Sequence, residues 1–511
     1  MPEELIAVLD FGGQYSHLIA RRVRECEVYS ELLPFNTKPT QLHKLRAKAI
    51  ILSGGPASVY DEGAPRCDPG VFEMGLPVLG VCYGLQLMVQ VLGGRVKATK
   101  RHEYGKTSLR IRDTTDIFNG LGERIIAWMS HGDYAEALPQ GFEPIADSEN
   151  CPTAAVRDQS RKLYGVQFHP EVSHTEHGTR ILRNFVVTIS NCRPTWNPRS
   201  IIQDSVRDIK AKVGNEGVLC ALSGGVDSTA TAVLVHEAVG DSLTCIFVNH
   251  GLLREDEEKK MKALAKEFRL KLRYVDASDR FLRRLRGVRD PEQKRKAIGE
   301  EFIRVFEEES RKLGTFHWLA QGTLYPDVIE SAGSGGPASR IKSHHNVAGV
   351  PEWSKFKTIE PFRFLYKDEV RKVARQLGLP DEIVLTHPFP GPGLAVRVVG
   401  EVTKEKLRIC REASAIVESI LTAKGLYNRV WQAFAVVGDD TVVGVQGDHR
   451  QVGHMVTVRI VESTDGMTAD WARIPYEVLE EISNRITGEV RGVTWVAYAV
   501  TSKPPSTIEP C

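Results

Sequence analysis

Short apolar runs separated by amphipathic stretches dominate the first 190 positions. Ile6-Ala-Val-Leu-Asp10, Ala49-Ile-Ile-Leu52, Pro77-Val-Leu-Gly-Val81 and Gly165-Val-Gln-Phe168 are brief and apolar on successive residues. Such runs predict strands buried on both faces, the pattern of a mostly parallel sheet covered by helices. Positions 16–24 and 85–92 are the first helices expected to cover it.

Two prolines in Asn191-Cys-Arg-Pro-Thr-Trp-Asn-Pro198 interrupt the pattern and read as a linker. The alternation then restarts. Strands are expected at 218–222, 243–248 and 271–275, and charged helices at 254–268 and 292–313. Ile298, Phe302, Val305 and Phe306 line one face of the last helix. The Gly-rich stretch 331–336 is too flexible for a core element. Pro388-Phe-Pro-Gly-Pro-Gly393 reads as a further boundary. Beyond it, helices at 404–424 and 476–486 and strands at 433–437, 455–461 and 493–500 suggest a small α+β module. The expected organisation is α/β: a domain over 1–190, a linker over 191–199, a Rossmann-like parallel-sheet domain over 200–390, and the α+β module over 391–511.

Composition narrows the class. A chain of 511 residues exceeds what one core holds. Lys+Arg 67 against Asp+Glu 65 gives net +2, which argues against a nucleic-acid partner or a membrane surface. No apolar run approaches the roughly 18 residues a spanning helix needs. No basic leader precedes the first strand. Nine scattered cysteines without a CxxC pair read as reduced and cytoplasmic, with no zinc site.

Two turns carry chemistry. Ser223-Gly224-Gly225-Val226-Asp227-Ser228-Thr229 joins a strand to a helix start. Its glycines let the backbone approach an anion, and free N–H groups at the helix N-terminus point at it. Asp227 adds a candidate magnesium ligand. No lysine sits in the loop, so it is not the GxxxxGK[ST] mononucleotide loop. The second turn, Gly80-Val-Cys82-Tyr83-Gly84, is the thiol counterpart of a nucleophile elbow. A helix N-terminus behind Cys82 favours thiolate. His169-Pro-Glu171 ends a strand that should reach the same sheet edge, so His169 serves as base and Glu171 orients it. Ser53-Gly54-Gly55-Pro56 follows another strand. Its N–H groups, with that of Tyr83, are candidates for an oxyanion hole. The remaining cysteines read as small buried hydrophobes, and the spacing of His174 and His177 from His169 suits no metal.

The loop SGGVDS resembles the pyrophosphate loop of ATP pyrophosphatases, which leave AMP on a substrate oxygen. The elbow GVCYGLQ, the SGGP turn and the HPE triplet resemble the class I glutamine amidotransferases. That resemblance implies a γ-glutamyl thioester on Cys82, release of ammonia, and a glutamine-holding role for Gln86. Ser130-His131-Gly-Asp133 resembles the family's substrate-adjacent segment. A glutaminase and an adenylating site on one chain suit a coupled amination, since adenylation turns a carbonyl oxygen into a leaving group.

LDFGGQYSHLIARRVRE, DPEQKRKAIGEEF, QGTLYPDVIES, IKSHHNVAG, HPFPGPGLAVRV, VGVQGDHR and SKPPSTIE, spread along nearly the whole chain, resemble the glutamine-hydrolysing GMP synthase family. The resemblance implies ATP, magnesium, glutamine and xanthosine monophosphate (XMP) as reactants. It implies a homodimer through the last module. It also implies an XMP site at Asp448, Lys503, Ile508 and Glu509 with Arg286, adenine near Val248, and phosphate or magnesium contacts from Asp327 and from Lys342 in Lys342-Ser-His-His345. Three positions depart from the family pattern: Gly13, where serine is common, Ala348, and the ending Pro510-Cys511. Two rivals are an amidotransferase making NAD or an asparagine-like amide, and a tRNA-modifying adenylating enzyme. The former lack the GPGLAVRV and KPPSTIE segments; the latter would want a basic RNA face. A third, an inactive glutamine sensor, has no need of intact Cys82, His169, Glu171 and Asp227.

Overall fold

The computed structural model describes residues 4–325, 327–328, 356–446, 448–463, 466 and 468–511. The expected Gly-rich stretch 331–336, the basic segment containing Lys342, and Ala348 lie outside the described residues. The chain forms two compact units, Met1–Ser200 and Ile201–Cys511.

In the first unit the chain runs β1 (Leu5–Asp10), α1 (Ser16–Glu25), β2 (Tyr29–Pro34), α2 (Pro39–Lys44), β3 (Ala47–Leu52), β4 (Val78–Val81) and α3 (Tyr83–Val91). It continues through β5 (Arg95–Ile111), β6 (Arg124–Ala137), β7 (Glu143–Asp147), β8 (Ala155–Asp158), β9 (Leu163–Val166) and α4 (Gly178–Arg183). One nine-stranded sheet has the order β2-β1-β3-β4-β9-β8-β7-β5-β6. The first five of these strands run parallel to one another. β1, β3, β4 and β9 are buried nearly throughout, which explains their largely apolar sequences. Apolar residues on both sheet faces close two cores, one around Ile6, Leu79 and Phe185 and one around Leu9, Leu52 and Leu85. The β5–β6 hairpin was not anticipated. Its β6 strand alternates buried and half-exposed positions, the period of a sheet with one wetter face.

The parallel pairing of β4 with β9 brings the ends of both strands to one edge: Val81 sits opposite Val166, and Cys82 N–H donates to Val166 O. Residues one to three places beyond these strand ends therefore meet in space.

The second unit begins with α5 (Pro198–Val213), β10 (Val218–Ala221), α6 (Val226–Val239), β11 (Leu243–Asn249), α7 (Glu257–Glu267), β12 (Leu272–Asp276), α8 (Ser278–Leu285) and α9 (Pro291–Leu313). Next come β13 (Trp318–Ala320), β14 (Lys357–Ile359), α10 (Lys367–Gln376) and α11 (Asp381–Val384). The chain ends with α12 (Lys404–Ala423), β15 (Gln432–Gln446), β16 (His449–Glu462), β17 (Asp470–Trp471), α13 (Tyr476–Glu489) and β18 (Val493–Tyr498). An all-parallel sheet, β12-β11-β10-β13-β14, carries the strand before the phosphate-type loop at its centre. A second sheet pairs β15, β16 and β17 antiparallel, with β18 parallel to β16. One apolar cluster runs from Leu219 and Ile246 through Leu394 to Val458 and Val493, so both sheets share a core. The turn Gly393–Arg397 is buried within it. No helix among the described residues is long and apolar enough to cross a membrane.

Candidate active sites

Cys82 leaves β4 at φ 51° and ψ −106°, a backbone that L-residues rarely adopt, and α3 starts at the next residue. A Cβ on Gly84 would lie 2.4 Å from Leu52 O, and one on Gly80 would lie 2.6 Å from Gly84 C. Both elbow glycines are therefore demanded by close backbone contact. The helix begins two residues before the expected position because the elbow itself is its first turn.

His169 and Glu171 follow β9. His169 lies beside Cys82 and interacts with it electrostatically, and its Nδ1 donates to Glu171 Oε1 over 2.7 Å. Glu171 is fully buried, and its Oε2 has no side-chain partner. Arg22 Nε donates to Glu171 O at 2.9 Å, and Thr175 Oγ1 to His169 O at 2.6 Å, which fixes the segment. Burial works against a charged His169. Interaction with Cys82, and the hydrogen bond and charge of Glu171, outweigh burial and lift its pKa to about 10. The ring of Tyr15 packs edge-on against His169 at 5.2 Å.

Other partners of the sulfur are Gln167, which the sequence did not single out, and Ser130, in the segment expected beside the substrate. Gln167 Nε2 donates to Cys82 Sγ at 3.6 Å, and Cys82 Sγ donates to Ser130 O at 3.7 Å. Gln86 Nε2 donates to Asp133 O and to Gln167 Oε1. Asp133 accepts from Ser58 Oγ and from Tyr60 OH, and buried His131 pairs with Glu103 at 3.1 Å. For Ser130 the signal was the Ser130-His131-Gly-Asp133 segment itself. For Gln167 the signal was its place between a strand and the HPE triplet.

At the second site, Ser223 to Gly225 form the turn between β10 and α6. Gly224 has φ +86°. Ser228 Oγ donates to Gly225 O, accepts from Ser223 N–H, and lies 2.9 Å from Ser223 Oγ, so the loop closes on itself. The first N–H groups of α6 then face outward without intrahelical partners. Asp227 Oδ2 accepts from Lys367 Nζ at 2.5 Å, while Asp227 Oδ1 is buried without a partner. An orphaned carboxylate oxygen beside a phosphate loop suits a hard divalent cation whose other ligands are phosphate and water. Among the described residues no cluster of three or more metal-ligating side chains occurs. Val248 is packed in the core, so only its backbone is available to an adenine. Asp327 Oδ2 accepts from Leu324 N–H.

The chain end is stitched down. Arg397, 2% exposed, forks Glu509 through Nε and Nη2, each at 3.1 Å. Its guanidinium carbon lies 5.0 Å from the centre of the Phe389 ring and 4.3 Å from that of Phe434. Gln432 Nε2 donates to the same carboxylate at 2.7 Å. Phe389 also carries Arg254, whose partner Glu257 lies against Gly224. This chain of contacts links the phosphate loop to Glu509. Lys503 pairs with Ala469 and donates from Nζ to Gly466 O. Ile508 is half-buried beside Glu509, whereas Asp448 is exposed in the β15–β16 turn and Arg286 is exposed after α8. Lys503, Ile508 and Glu509 are thus gathered in one tail, and no hydrogen bond or ion pair among the described residues joins Asp448 or Arg286 to them.

An elbow thiol in a mixed sheet, on one chain with a glycine-serine phosphate loop at the centre of a parallel sheet, defines a two-site enzyme that couples glutaminase chemistry to nucleotide activation. Residues 7–189 match the family Glutamine amidotransferase class-I, 199–298 match NAD synthase, and 419–510 match GMP synthase C terminal domain. The GMP synthase (glutamine-hydrolyzing) of Synechocystis sp. is 55% identical over 514 residues, covering 99% of this chain and 95% of that protein. That of Synechococcus sp. is 55% identical, covering 99% and 96%, and that of Thermosynechococcus vestitus 55%, covering 100% and 97%. The chain belongs to the glutamine-hydrolysing GMP synthases.

Proposed function

We propose that this chain aminates xanthosine 5′-monophosphate to GMP, with glutamine as the ammonia source and ATP cleaved to AMP and pyrophosphate. The observation that carries the reading is buried Cys82 beside His169, which is itself hydrogen-bonded to buried Glu171, on a full-length member of this family. Cys82 attacks the glutamine side-chain carbonyl carbon as thiolate. The carbonyl electrons move onto oxygen, and their return expels ammonia, protonated by His169. Water activated by the same imidazole then frees glutamate. Glu171 holds Nδ1 protonated, so Nε2 faces the reaction. Gly54, Gly55 and Tyr83 offer N–H donors to the oxyanion, and Gln86 fixes the strand beside glutamine.

The loop from Ser223 to Thr229 cradles ATP, with Val248 beside the adenine. The bound nucleotide is positioned for attack on its α-phosphorus by the purine oxygen between the ring nitrogens. Asp227 Oδ1 would hold magnesium, which when bound neutralises charge on the pyrophosphate leaving group. Lys367 supplies a second positive charge there. Lys503, Ile508 and Glu509 would meet XMP, joined by Asp448 and Arg286 from the hairpin and α8. Ammonia then displaces AMP from the activated carbon.

The exposed valines 443, 445 and 452 on the β15–β16 hairpin, with half-exposed Trp495 on β18, support a homodimer through the last module. Nine thiols without a disulfide suit the cytoplasm. An assay with ATP, magnesium and XMP tests the whole reading. GMP, AMP and pyrophosphate are expected with either glutamine or ammonium, and Cys82→Ala should lose only the glutamine reaction. ADP as product, or loss of both reactions, would overturn it.

A further inference from the structure

Two buried serines lie beneath the glutaminase site, and the steps above do not use them. Ser53 is fully buried at the end of β3, and Ser16 nearly so at the start of α1. Ser53 Oγ accepts from Phe11 N–H at 3.0 Å and donates to Gly54 O at 2.8 Å. Ser16 Oγ lies 3.1 Å from Ser53 Oγ and 2.9 Å from Gly13 O. A hydroxyl has one proton and two lone pairs. Phe11 N–H fills one acceptor site, the single Ser16 proton is shared between Ser53 Oγ and Gly13 O, and the Ser53 proton goes to the Gly54 carbonyl. Gly13 closes over the same carbonyl, since a Cβ there would lie 2.4 Å from Gly54 O.

The peptide between Gly54 and Gly55 is trans, so its N–H points away from its C=O. With the carbonyl held on the Gly13 side, the Gly55 N–H emerges on the other side and makes no hydrogen bond among the described residues. Gly54 itself borders the catalytic pair: a Cβ on it would lie 3.3 Å from His169 Cε1 and 3.9 Å from Cys82 Cβ.

We propose that Ser53, backed by Ser16, is a positioning residue that locks the Gly54–Gly55 peptide so that Gly55 N–H meets the oxyanion formed when Cys82 attacks glutamine. The inference rests on Cys82 being the nucleophile. Ser53 touches neither substrate nor sulfur; it acts by denying the peptide its flipped orientation, in which a carbonyl oxygen would face the developing negative charge. Preorganised donors of this kind stabilise the transition state rather than bound glutamine.

The test uses the full-length chain with Ser53→Ala and Ser53→Thr. Removing one oxyanion donor costs on the order of 100-fold in kcat, so Ser53→Ala should lose about that factor in the glutamine reaction with KM for glutamine little changed. Its affinity for the γ-aldehyde analogue of glutamine should fall by a similar factor, because that adduct carries the same oxyanion. Alkylation of Cys82 by iodoacetamide forms no oxyanion and should proceed at the wild-type rate, as should ammonium-dependent GMP formation. Ser53→Thr, which keeps the hydroxyl, should recover both losses. Unchanged kcat and aldehyde affinity in Ser53→Ala would overturn the proposal, as would a parallel loss of iodoacetamide reactivity. Wild-type protein that is alkylated at Cys82 yet keeps its glutamine reaction would instead overturn the nucleophile assignment.

Discussion

Lys367 Nζ donates to Asp227 Oδ2 over 2.5 Å, tying the first turn of α10 to the phosphate loop across 140 residues of chain. The ammonium thus stands where negative charge from a nucleotide is expected. A hydrogen bond to a charged group contributes about 1.5–3 kcal/mol. Lys367→Met should therefore raise KM for ATP or lower kcat by roughly ten- to hundredfold. Ammonium-dependent AMP formation is the measurement, because it bypasses the glutaminase. Alkylation of Cys82 should be unaffected.

The orphaned Asp227 Oδ1 makes a metal prediction. Chelation by EDTA should abolish AMP and pyrophosphate release from either nitrogen donor while leaving Cys82 open to alkylation by iodoacetamide. Excess magnesium should restore synthesis. Asp227→Asn should raise the magnesium concentration needed for half-maximal rate.

His169 makes a prediction about pH. Its folded pKa, about 10, lies above the ordinary 6.5, so the protonated form is the one folding favours. The resulting stabilisation is complete below about pH 6.5 and lost as pH rises toward 10. Glutamine-dependent activity needs the same proton for departing ammonia and should hold until that upper range. Glu171→Gln weakens the partner and should move the alkaline decline to lower pH. Stability of Glu171→Gln should accordingly be most reduced in acid and near wild type at pH 10. Thermal unfolding across pH, and rates at fixed free ammonia as the control, check both.

Arg397 and Glu509 form a bidentate pair in which the arginine is almost wholly buried. Breaking such a pair costs about 3–5 kcal/mol because the remaining charge is stranded. Arg397→Met should lower Tm and raise KM for XMP by releasing the Glu509 carboxylate. Pairing it with Glu509→Gln should recover stability, since no charge is left uncompensated, without recovering the KM. Denaturant melts and XMP titrations of the single and double variants separate the two effects.

Val443 lies directly opposite Val452 on the projecting hairpin, and Val445 is 75% exposed. Val445→Glu with Val452→Glu should shift the proposed dimer to monomer in sedimentation analysis. A wild-type monomer at assay concentration would remove the dimer from the account.

Much of the two sites was legible because their chemistry is local. Cys82 sits between a strand and a helix that the apolar pattern marks, and the strand–turn–helix order fixes the elbow. The phosphate loop is legible for the same reason. The link from Cys82 to His169 required one further step, that β9 lies parallel beside β4, and the buried run before the HPE triplet pointed there. Ser130 was marked through the resemblance of its segment, but its carbonyl contact with the sulfur and the place of Gln167 were not foreseen. Both depend on how the chain is oriented at a sheet edge, which neither residue type announces. The β5–β6 hairpin was missed because its polar residues mask the alternation. Likewise Ala433-Phe-Ala-Val-Val437 marked a strand, but not its extension to Gln446.

Local pattern therefore marks the candidate turns for a nucleophile and a phosphate cradle, since a turn's chemistry is written in neighbouring residues. Three relations were decided only by folding: Lys367 on Asp227, Arg397 on Glu509, and Gly13 against the carbonyl that Ser53 holds. Each joins residues at least about 40 positions apart, where no periodicity couples one position to the other. Burial makes these contacts strong, because a desolvated charge or carbonyl must find its partner wherever the chain brings one.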